Sequence, residues 1–197
     1  MSFRLGLTGS IGMGKSTTAK LFGEAGCAVW DADAAVHRMY AKGGAAVDPI
    51  QNALPEAVQD GAVSRERLKE MIGRDASVLK VLEQIVHPLV AMDRARFMET
   101  TTADIVVLDI PLLFEGGGDA SMDAVVCVSI PPDIQKQRVM ERGTMREEQF
   151  EQIRAKQMPN DEKCARSDYI VITDTLDHAR AQVNKIVETI KGQLADA

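Results

Sequence analysis

An α/β fold built on a central parallel sheet is predicted by three features of this sequence. Short apolar runs alternate with amphipathic helical stretches along the chain, the pattern of strands joined by crossover helices. The run Ile105-Val106-Val107-Leu108 is apolar without alternation, as expected of a strand buried on both faces. Gly9-Ser10-Ile11-Gly12-Met13-Gly14-Lys15-Ser16 follows the first apolar run and has the form G-x-x-x-x-G-K-[ST], which needs a strand before it and a helix after it.

The elements follow in order. Phe3 to Thr8 reads as a buried strand, and Ser16 to Glu24 as a helix with Ala19, Leu21 and Phe22 on its apolar side and Gly26 as its stop. Ala28-Val29-Trp30 makes a second strand ending at Asp31, and a further helix carries Val36 to Tyr40 before Gly43-Gly44. From about Asp48 to Thr102 the text is helical, with no strand expected. Ser64 is a candidate N-cap for a helix through Leu68 and Met71-Ile72. Val78, Leu82, Ile85, Val86, Leu89 and Val90 recur at helical spacing, and Pro88 among them is expected to kink that helix or start a new one. This stretch reads as a helical insertion between core strands. The strand 105–108 ends in Asp109-Ile110-Pro111. Ala124 to Ser129 is another strand, stopped by Pro131-Pro132, with a helix from about Asp133 to Arg142. Residues 146–165 are charged and helical, the least core-like part of the chain. Tyr169 to Ile172 is a last strand, and Ala179, Val183, Ile186, Val187 and Ile190 mark a closing amphipathic helix.

The 197 residues suffice for one sizeable core with a smaller attached lobe. A net charge of −6 argues against a surface that coats nucleic acid, and 4% aromatic residues against stacking on single strands. The three cysteines, Cys27, Cys127 and Cys164, are far apart in sequence, which fits neither a disulfide framework nor a zinc site. Cys27 and Cys127 lie in apolar text and read as core residues. No signal peptide is expected, because the first apolar run leads straight into the glycine-rich motif. No stretch approaches the roughly 18 apolar residues of a membrane span. A reducing, cytoplasmic setting with small-molecule partners is the expectation, with neither nucleic acid nor membrane among them.

Glycines let successive backbone N–H groups turn toward one anion, and the helix that follows points its positive end at it. Ser10, Ile11, Gly12, Met13, Gly14, Lys15, Ser16 and Thr17 are therefore the candidate nucleotide-phosphate residues. Lys15 can reach the β- and γ-phosphates, and the Ser16 hydroxyl can hold Mg²⁺. The chain lacks the N-K-x-D of a guanine site, since Asn184-Lys185-Ile186-Val187 has no acid and falls in an amphipathic helix. A motor or helicase would need a longer chain. A small-molecule kinase fits the length.

In a parallel sheet the carboxyl ends of the strands face the ligand, so Asp31 and Asp33 are candidates to orient an acceptor hydroxyl and take its proton. Either also reads as an N-cap for the helix that follows. Asp109, ending an apolar strand, is a candidate to help hold Mg²⁺, or a turn residue before proline. Glu115 is a weaker candidate of the same region.

With these residues in hand, the chain resembles the dephospho-coenzyme A kinase family. The resemblance is carried by "LTGSIGMGKS" at Leu7–Ser16, "DAD" at Asp31–Asp33, "LEQIVHP" at Leu82–Pro88 and "DIPLLFE" at Asp109–Glu115, then by Asp123, Gln135, Arg138 and Arg142. It implies a P-loop NTPase-like three-layer fold with a helical substrate-binding insertion and a helical lid. The core would span about 1–40, 103–137 and 166–197, the coenzyme A lobe about 41–102, and the lid about 138–165. It implies ATP and Mg²⁺ as cofactors and transfer of the γ-phosphate to the ribose 3′-hydroxyl of dephospho-coenzyme A. Asp33 would be the general base and Asp31 its neighbour. Arg65 and His87 would contact the acceptor, though His87 also reads as a buried helix-breaking residue. Leu112, Leu113 and Phe114 would wall the acceptor beside Glu115, or simply pack. Arg138 and Arg142, four residues apart on one helix face, would stabilise the transferring phosphoryl group, with Arg142 also on ATP; Arg146 and Lys163 are weaker lid candidates. Met13 stands where the family has a small residue, Gly143 where an Asp or Asn is common, Ile172-Thr173 where an Asp-Asn pair is usual, and Gly73 where an aromatic is usual. A nucleoside or nucleotide kinase, or a nucleotide-binding protein without catalysis, are the competing readings.

Overall fold

The computed structural model describes residues 2–196. The chain begins with β1 (Phe3–Thr8), α1 (Lys15–Glu24), β2 (Ala28–Asp31) and α2 (Ala32–Tyr40). It continues through α3 (Val47–Ala53), β3 (Val58–Gln59), β4 (Ala62–Val63), α4 (Arg65–Arg74) and α5 (Ser77–Thr100). Then come β5 (Ile105–Asp109), β6 (Ala124–Ser129), α6 (Pro132–Glu141), α7 (Glu147–Lys156), α8 (Asn160–Ala165), β7 (Tyr169–Ile172) and α9 (Leu176–Ala195). Two compact units emerge, one containing the chain up to Trp30 and from Thr101 onward, the other Asp31–Thr100.

The first unit is built on a five-stranded sheet in the order β2-β5-β1-β6-β7. β1 pairs in parallel with β5 and β6, and β6 with β7. Leu5 and Leu7 of β1 and Val126 and Val128 of β6 join Phe22 of α1 and Val183 and Ile190 of α9 in one apolar cluster. On a separate cluster Val125 of β6 meets Leu113 and Phe114, with Met158 packed against them. The alternation along β6 shows why its text is apolar throughout: successive side chains enter clusters on opposite faces. Cys27 and Cys127 are buried, as the sequence suggests, and burial pushes the Cys27 thiol up to about 11.

Register brings the strand ends together. Leu7 lies opposite Asp109, and the Ile110 amide donates to the Leu7 carbonyl at 3.0 Å. At the other end Asp123 pins β6 to β1. Its carboxylate accepts from the Arg4 amide at 2.7 Å and from the Arg4 guanidinium at 2.7 and 3.1 Å.

In the second unit α2, α3 and α4 each pack on α5. Three features differ from the sequence expectation. A short hairpin, β3–β4, interrupts the stretch expected to be wholly helical. Its turn is Asp60-Gly61, both at positive φ of 52° and 78°, a two-residue signal for tight hairpins. α5 runs unbroken through Pro88, so no new helix starts there; Pro88 lies at an exposed position, where the helical carbonyl it leaves unpaired can be hydrated. In the first unit, the charged segment 146–165 contributes two fully buried side chains, Phe150 and Lys163. No helix among the described residues is long and apolar enough to cross a membrane.

The Arg4 pair holds the Asp123 carboxyl below the usual carboxylate range. Its stabilising effect is therefore present above the unfolded pKa and is lost as pH falls through the lowered folded value. Asp123→Asn is expected to cost about 0.5–1 kcal/mol in urea unfolding at pH 7, a modest figure because solvent screens the pair. The gap to wild type should close as pH drops below about 4; a gap constant down to pH ~2 would sink this account.

Candidate active site

The glycine-rich turn spans β1 and α1. Gly14 is the N-cap of α1 at φ 93° and offers no side-chain cap, leaving the first-turn amides for an anion at the positive end of the helix. A side chain at Gly14 would be doubly disfavoured: its Cβ would lie 3.0 Å from the Thr173 side chain, and φ is left-handed. Ser16 and Thr17 are exposed at this end.

Beside the turn, the Lys15 ammonium is paired with the Asp109 carboxylate. The Asp109 side chain is only 2% exposed. Its place follows from the parallel register, which sets Asp109 next to Leu7, two residues before the turn. A buried acid needs a cation or strong donors, and the turn's lysine supplies one.

The turn is framed by residues far away in sequence. Gln135 of α6 donates to the Ile11 carbonyl at 2.7 Å. The Ile11 amide donates to Gln157 at 3.1 Å, and the Ser10 amide to Asn160 at 3.3 Å. Thr173, just past β7, donates its hydroxyl to the Met13 carbonyl at 2.7 Å and accepts from Arg138 at 3.1 Å. A second nitrogen of Arg138 donates to the Thr173 carbonyl at 2.6 Å. The Arg138 fork is thus turned to β7, whereas Arg142, the C-cap of α6, is exposed and makes no hydrogen bond or ion pair among the described residues. Met13 is buried, 3% exposed. Gln157, Asn160 and Thr173 as loop-framing residues are absent from the sequence reading. Their partners lie some 150 residues away (150 for Asn160 to Ser10), and no local pattern marks an amide side chain for such a task.

The segment after Asp109 closes a second side. Thr8 donates to the Pro111 carbonyl at 3.2 Å. Leu113 and Phe114 are buried, 0% and 6% exposed, while Leu112 is 50% exposed. Leu113 and Phe114 therefore pack inward, and Leu112 is the apolar side chain left open. Glu115 accepts from the Met158 amide and from Lys163, both at 2.9 Å. Burial alone would raise the Glu115 carboxyl, but these donors hold it below its ordinary value. A cavity of about 320 Å³ opens beside the turn, lined by Ser10, Gln135 and Asn160 among others; neither Lys15 nor Asp109 lines it.

The second unit carries the remaining candidates. Asp31 is the N-cap of α2 and accepts from the Ala34 amide at 3.0 Å. Asp33 lies in the first turn of α2, exposed and with no hydrogen bond or ion pair among the described residues. Capping is therefore the task of Asp31, and the Asp33 carboxylate is left open. Arg65 begins α4 after the Ser64 cap and lies 5.8 Å over the Tyr40 ring. His87 is exposed on α5, which overturns the alternative of a buried histidine. No cluster of three or more His, Cys, Asp or Glu side chains suited to a metal ion occurs among the described residues.

Comparison with known proteins bears on what this arrangement does. A family model described as "Dephospho-CoA kinase" matches residues 3–177. A Dephospho-CoA kinase of Ruegeria pomeroyi is 70% identical over 191 residues, covering 97% of each chain. One of Cereibacter sphaeroides is 56% identical over 195 residues, covering 99% of this chain and 98% of its own. A crystal structure from Thermus thermophilus superposes with a TM-score of 0.86 at 31% identity, over 95% of this chain and 97% of that one. The Dephospho-CoA kinase from Campylobacter jejuni shares the fold, with a TM-score of 0.70 at 23% identity over 98% of this chain and all (100%) of the other.

The close approach of Thr173 to Gly14 gives a direct test. Gly14→Ala must tolerate both a left-handed backbone and a 3.0 Å contact, a strain of roughly 1–3 kcal/mol. ATP affinity measured by calorimetry is expected to fall about tenfold or more, with far-UV circular dichroism unchanged. Unaltered affinity would show that the turn's glycine geometry is not what holds phosphate.

Proposed function

Because this chain belongs to the dephospho-CoA kinase family, whose activity is ATP-dependent phosphorylation of dephospho-CoA, we propose the residues and steps by which it carries this out. The observation that carries the reading is the junction of the phosphate-loop lysine with a buried aspartate at the ends of two adjacent parallel strands. The amides of Gly12 and of Gly14 to Thr17 and the Lys15 ammonium hold the ATP phosphates; the Met13 amide already donates to the Ser10 carbonyl at 3.2 Å. Lys15 has to exchange its Asp109 partner for phosphate oxygens as nucleotide enters. Ser10 and Ile11 contribute chiefly to the frame of the turn, because their amides already serve Asn160 and Gln157.

Mg²⁺ fits the donors available. It keeps several waters and takes one or two protein oxygens beside substrate phosphates, a demand met by the exposed Ser16 hydroxyl and the Asp109 carboxylate. When bound it supplies neutralisation of charge on the phosphate oxygens.

Asp33 accepts the proton of the acceptor's ribose 3′-hydroxyl as that oxygen bonds to the γ-phosphorus. The bond from the γ-phosphorus to the β–γ bridging oxygen breaks, and ADP departs. An exposed carboxylate suits a base that must meet a substrate hydroxyl and release its proton afterwards. Asp31 keeps α2 capped, so that Asp33 sits at a fixed place in its first turn. Arg142 is the unpartnered guanidinium available to offset charge on the transferring group. Arg138 supports the same site by holding Thr173, and through it the Met13 carbonyl. Arg65 and His87, both exposed in the 31–100 unit, are the contacts proposed for the acceptor, with residues 41–102 as its lobe and 138–165 as the lid. The Leu113 and Phe114 side chains support the acceptor wall from within. A cytoplasmic location completes the reading, supported by three free cysteines.

An acceptor screen tests the assignment: purified protein with ATP is expected to phosphorylate dephospho-CoA and not AMP or nucleosides. Preference for AMP or a nucleoside would overturn it. Asp33→Asn is expected to leave ATP binding intact and to cut turnover by about 10²-fold or more, as loss of a general base does. Turnover within a few fold of wild type would remove Asp33 from that role.

A further inference from the structure

Lys163 is fully buried, yet it carries a charge in a segment that sequence alone marks as solvated. Burial of an ammonium is costly unless paired and hydrogen-bonded, and Lys163 meets both conditions on one short loop. Its ammonium lies 2.9 Å from a Glu115 carboxylate oxygen and donates to the Pro111 carbonyl at 3.1 Å. Three further contacts join the same two segments. The Met158 amide donates to Glu115 at 2.9 Å. Arg166 pairs with Asp119 at 3.1 Å and lies 4.5 Å over the Phe114 ring.

The opposite side of this segment faces the phosphate loop. Gln157 and Asn160, six and three residues before Lys163, accept from the Ile11 and Ser10 amides. Residues 157–166 therefore touch the start of the donor loop and, in the segment that leaves Asp109, Pro111, Phe114, Glu115 and Asp119. We propose that Lys163 is a positioning residue: by clamping Pro111 and Glu115 to α8, it fixes the 111–115 loop in register with the phosphate loop. This deepens the kinase assignment and rests on it, since the loop is taken as the acceptor side of that site.

The consequence is a separation of effects. Both Lys163 contacts go to the 111–115 loop, and the two amides on the phosphate loop do not depend on its charge. Loss of the clamp displaces the acceptor loop relative to bound ATP. A misplacement of about 1 Å from a remote change costs up to ~10²-fold in rate. Leu112, half exposed on that loop (50%), moves with it.

The test is steady-state kinetics of Lys163→Met, Lys163→Arg, Glu115→Gln and the Lys163→Met/Glu115→Gln double variant, with ATP affinity measured separately by calorimetry. Lys163→Met is expected to lower kcat/KM for dephospho-CoA by about 10–100-fold while ATP affinity stays within about threefold. Lys163→Arg, which keeps the charge and the donors, is expected to recover most of the loss. Glu115→Gln, which keeps the volume and one acceptor oxygen, is expected to show a smaller loss of the same kind. The double variant is expected to be no worse than Lys163→Met, as for two residues acting through one contact. Equal losses in ATP affinity and in kcat/KM for the acceptor would overturn the proposal, as would additive losses in the double variant. If Lys163→Met does not fold, Lys163→Arg and Glu115→Gln decide the matter by whether the acceptor parameter moves alone. Wild-type protein that fails to use dephospho-CoA would refute the assignment itself; wild-type use with no separation of effects in the variants would refute only the clamp.

Discussion

Strands β1 and β5 run side by side with Leu7 opposite Asp109, and that register decides where the functional groups of the larger unit can stand. A shift by one residue would turn Asp109 to the other face of the sheet and put Lys15 out of reach. With the register as it is, the turn after β1 and the acid at the end of β5 share one edge of the sheet. In this register Leu5, Leu7, Val107 and Val126 enter one cluster with α1 and α9.

The phosphate loop is held partly by its own turn, where the Met13 amide donates to the Ser10 carbonyl at 3.2 Å, and partly from outside. Its glycines permit the backbone path, and side chains from elsewhere help select it: Gln135 and Thr173 on its carbonyls, Gln157 and Asn160 on the Ile11 and Ser10 amides. The amides at the α1 end receive no capping side chain. The loop therefore has satisfied groups at its start and available donors at its end, which is the polarity an anion site needs. Preorganised donors of this kind cost no reorganisation when charge develops on a transferring group.

Two ion pairs at the edge of the core do different work. Lys15–Asp109 is, under the proposed assignment, a pair that parts when nucleotide enters, and its lysine is 16% exposed. Lys163–Glu115 has a lysine with no exposure and a carboxylate at 21%, so water competes little for it. Pairs of this second kind add little net stability over an apolar contact; their value lies in fixing one geometry. Here the geometry is the relation between α8 and the loop after β5.

Much of this was legible in the sequence because it is local. The strand–turn–helix of residues 3–24, the apolar strand ending in Asp109, the Ser64 cap and the closing amphipathic helix all follow from short-range pattern. So did the family, carried by short motifs in a fixed order. The β3–β4 hairpin was also written locally, in Asp60-Gly61, but a two-residue strand on either side is too short for alternation to show. What no local pattern conveys is which polar groups meet across the fold. Thr173 on Met13 is a contact over 160 residues and Lys163 on Pro111 over 52. The choice of Asp31 rather than Asp33 as the cap of α2 likewise depended on the backbone path, not on residue type. Sequence by itself determined the strand–turn–helix of a phosphate-loop type and the parallel sheet that carries it, because backbone conformation and burial period are properties of neighbouring residues. Only the tertiary structure decided how the loops are kept in register, because a buried polar group takes whichever partner the packing brings within hydrogen-bond reach.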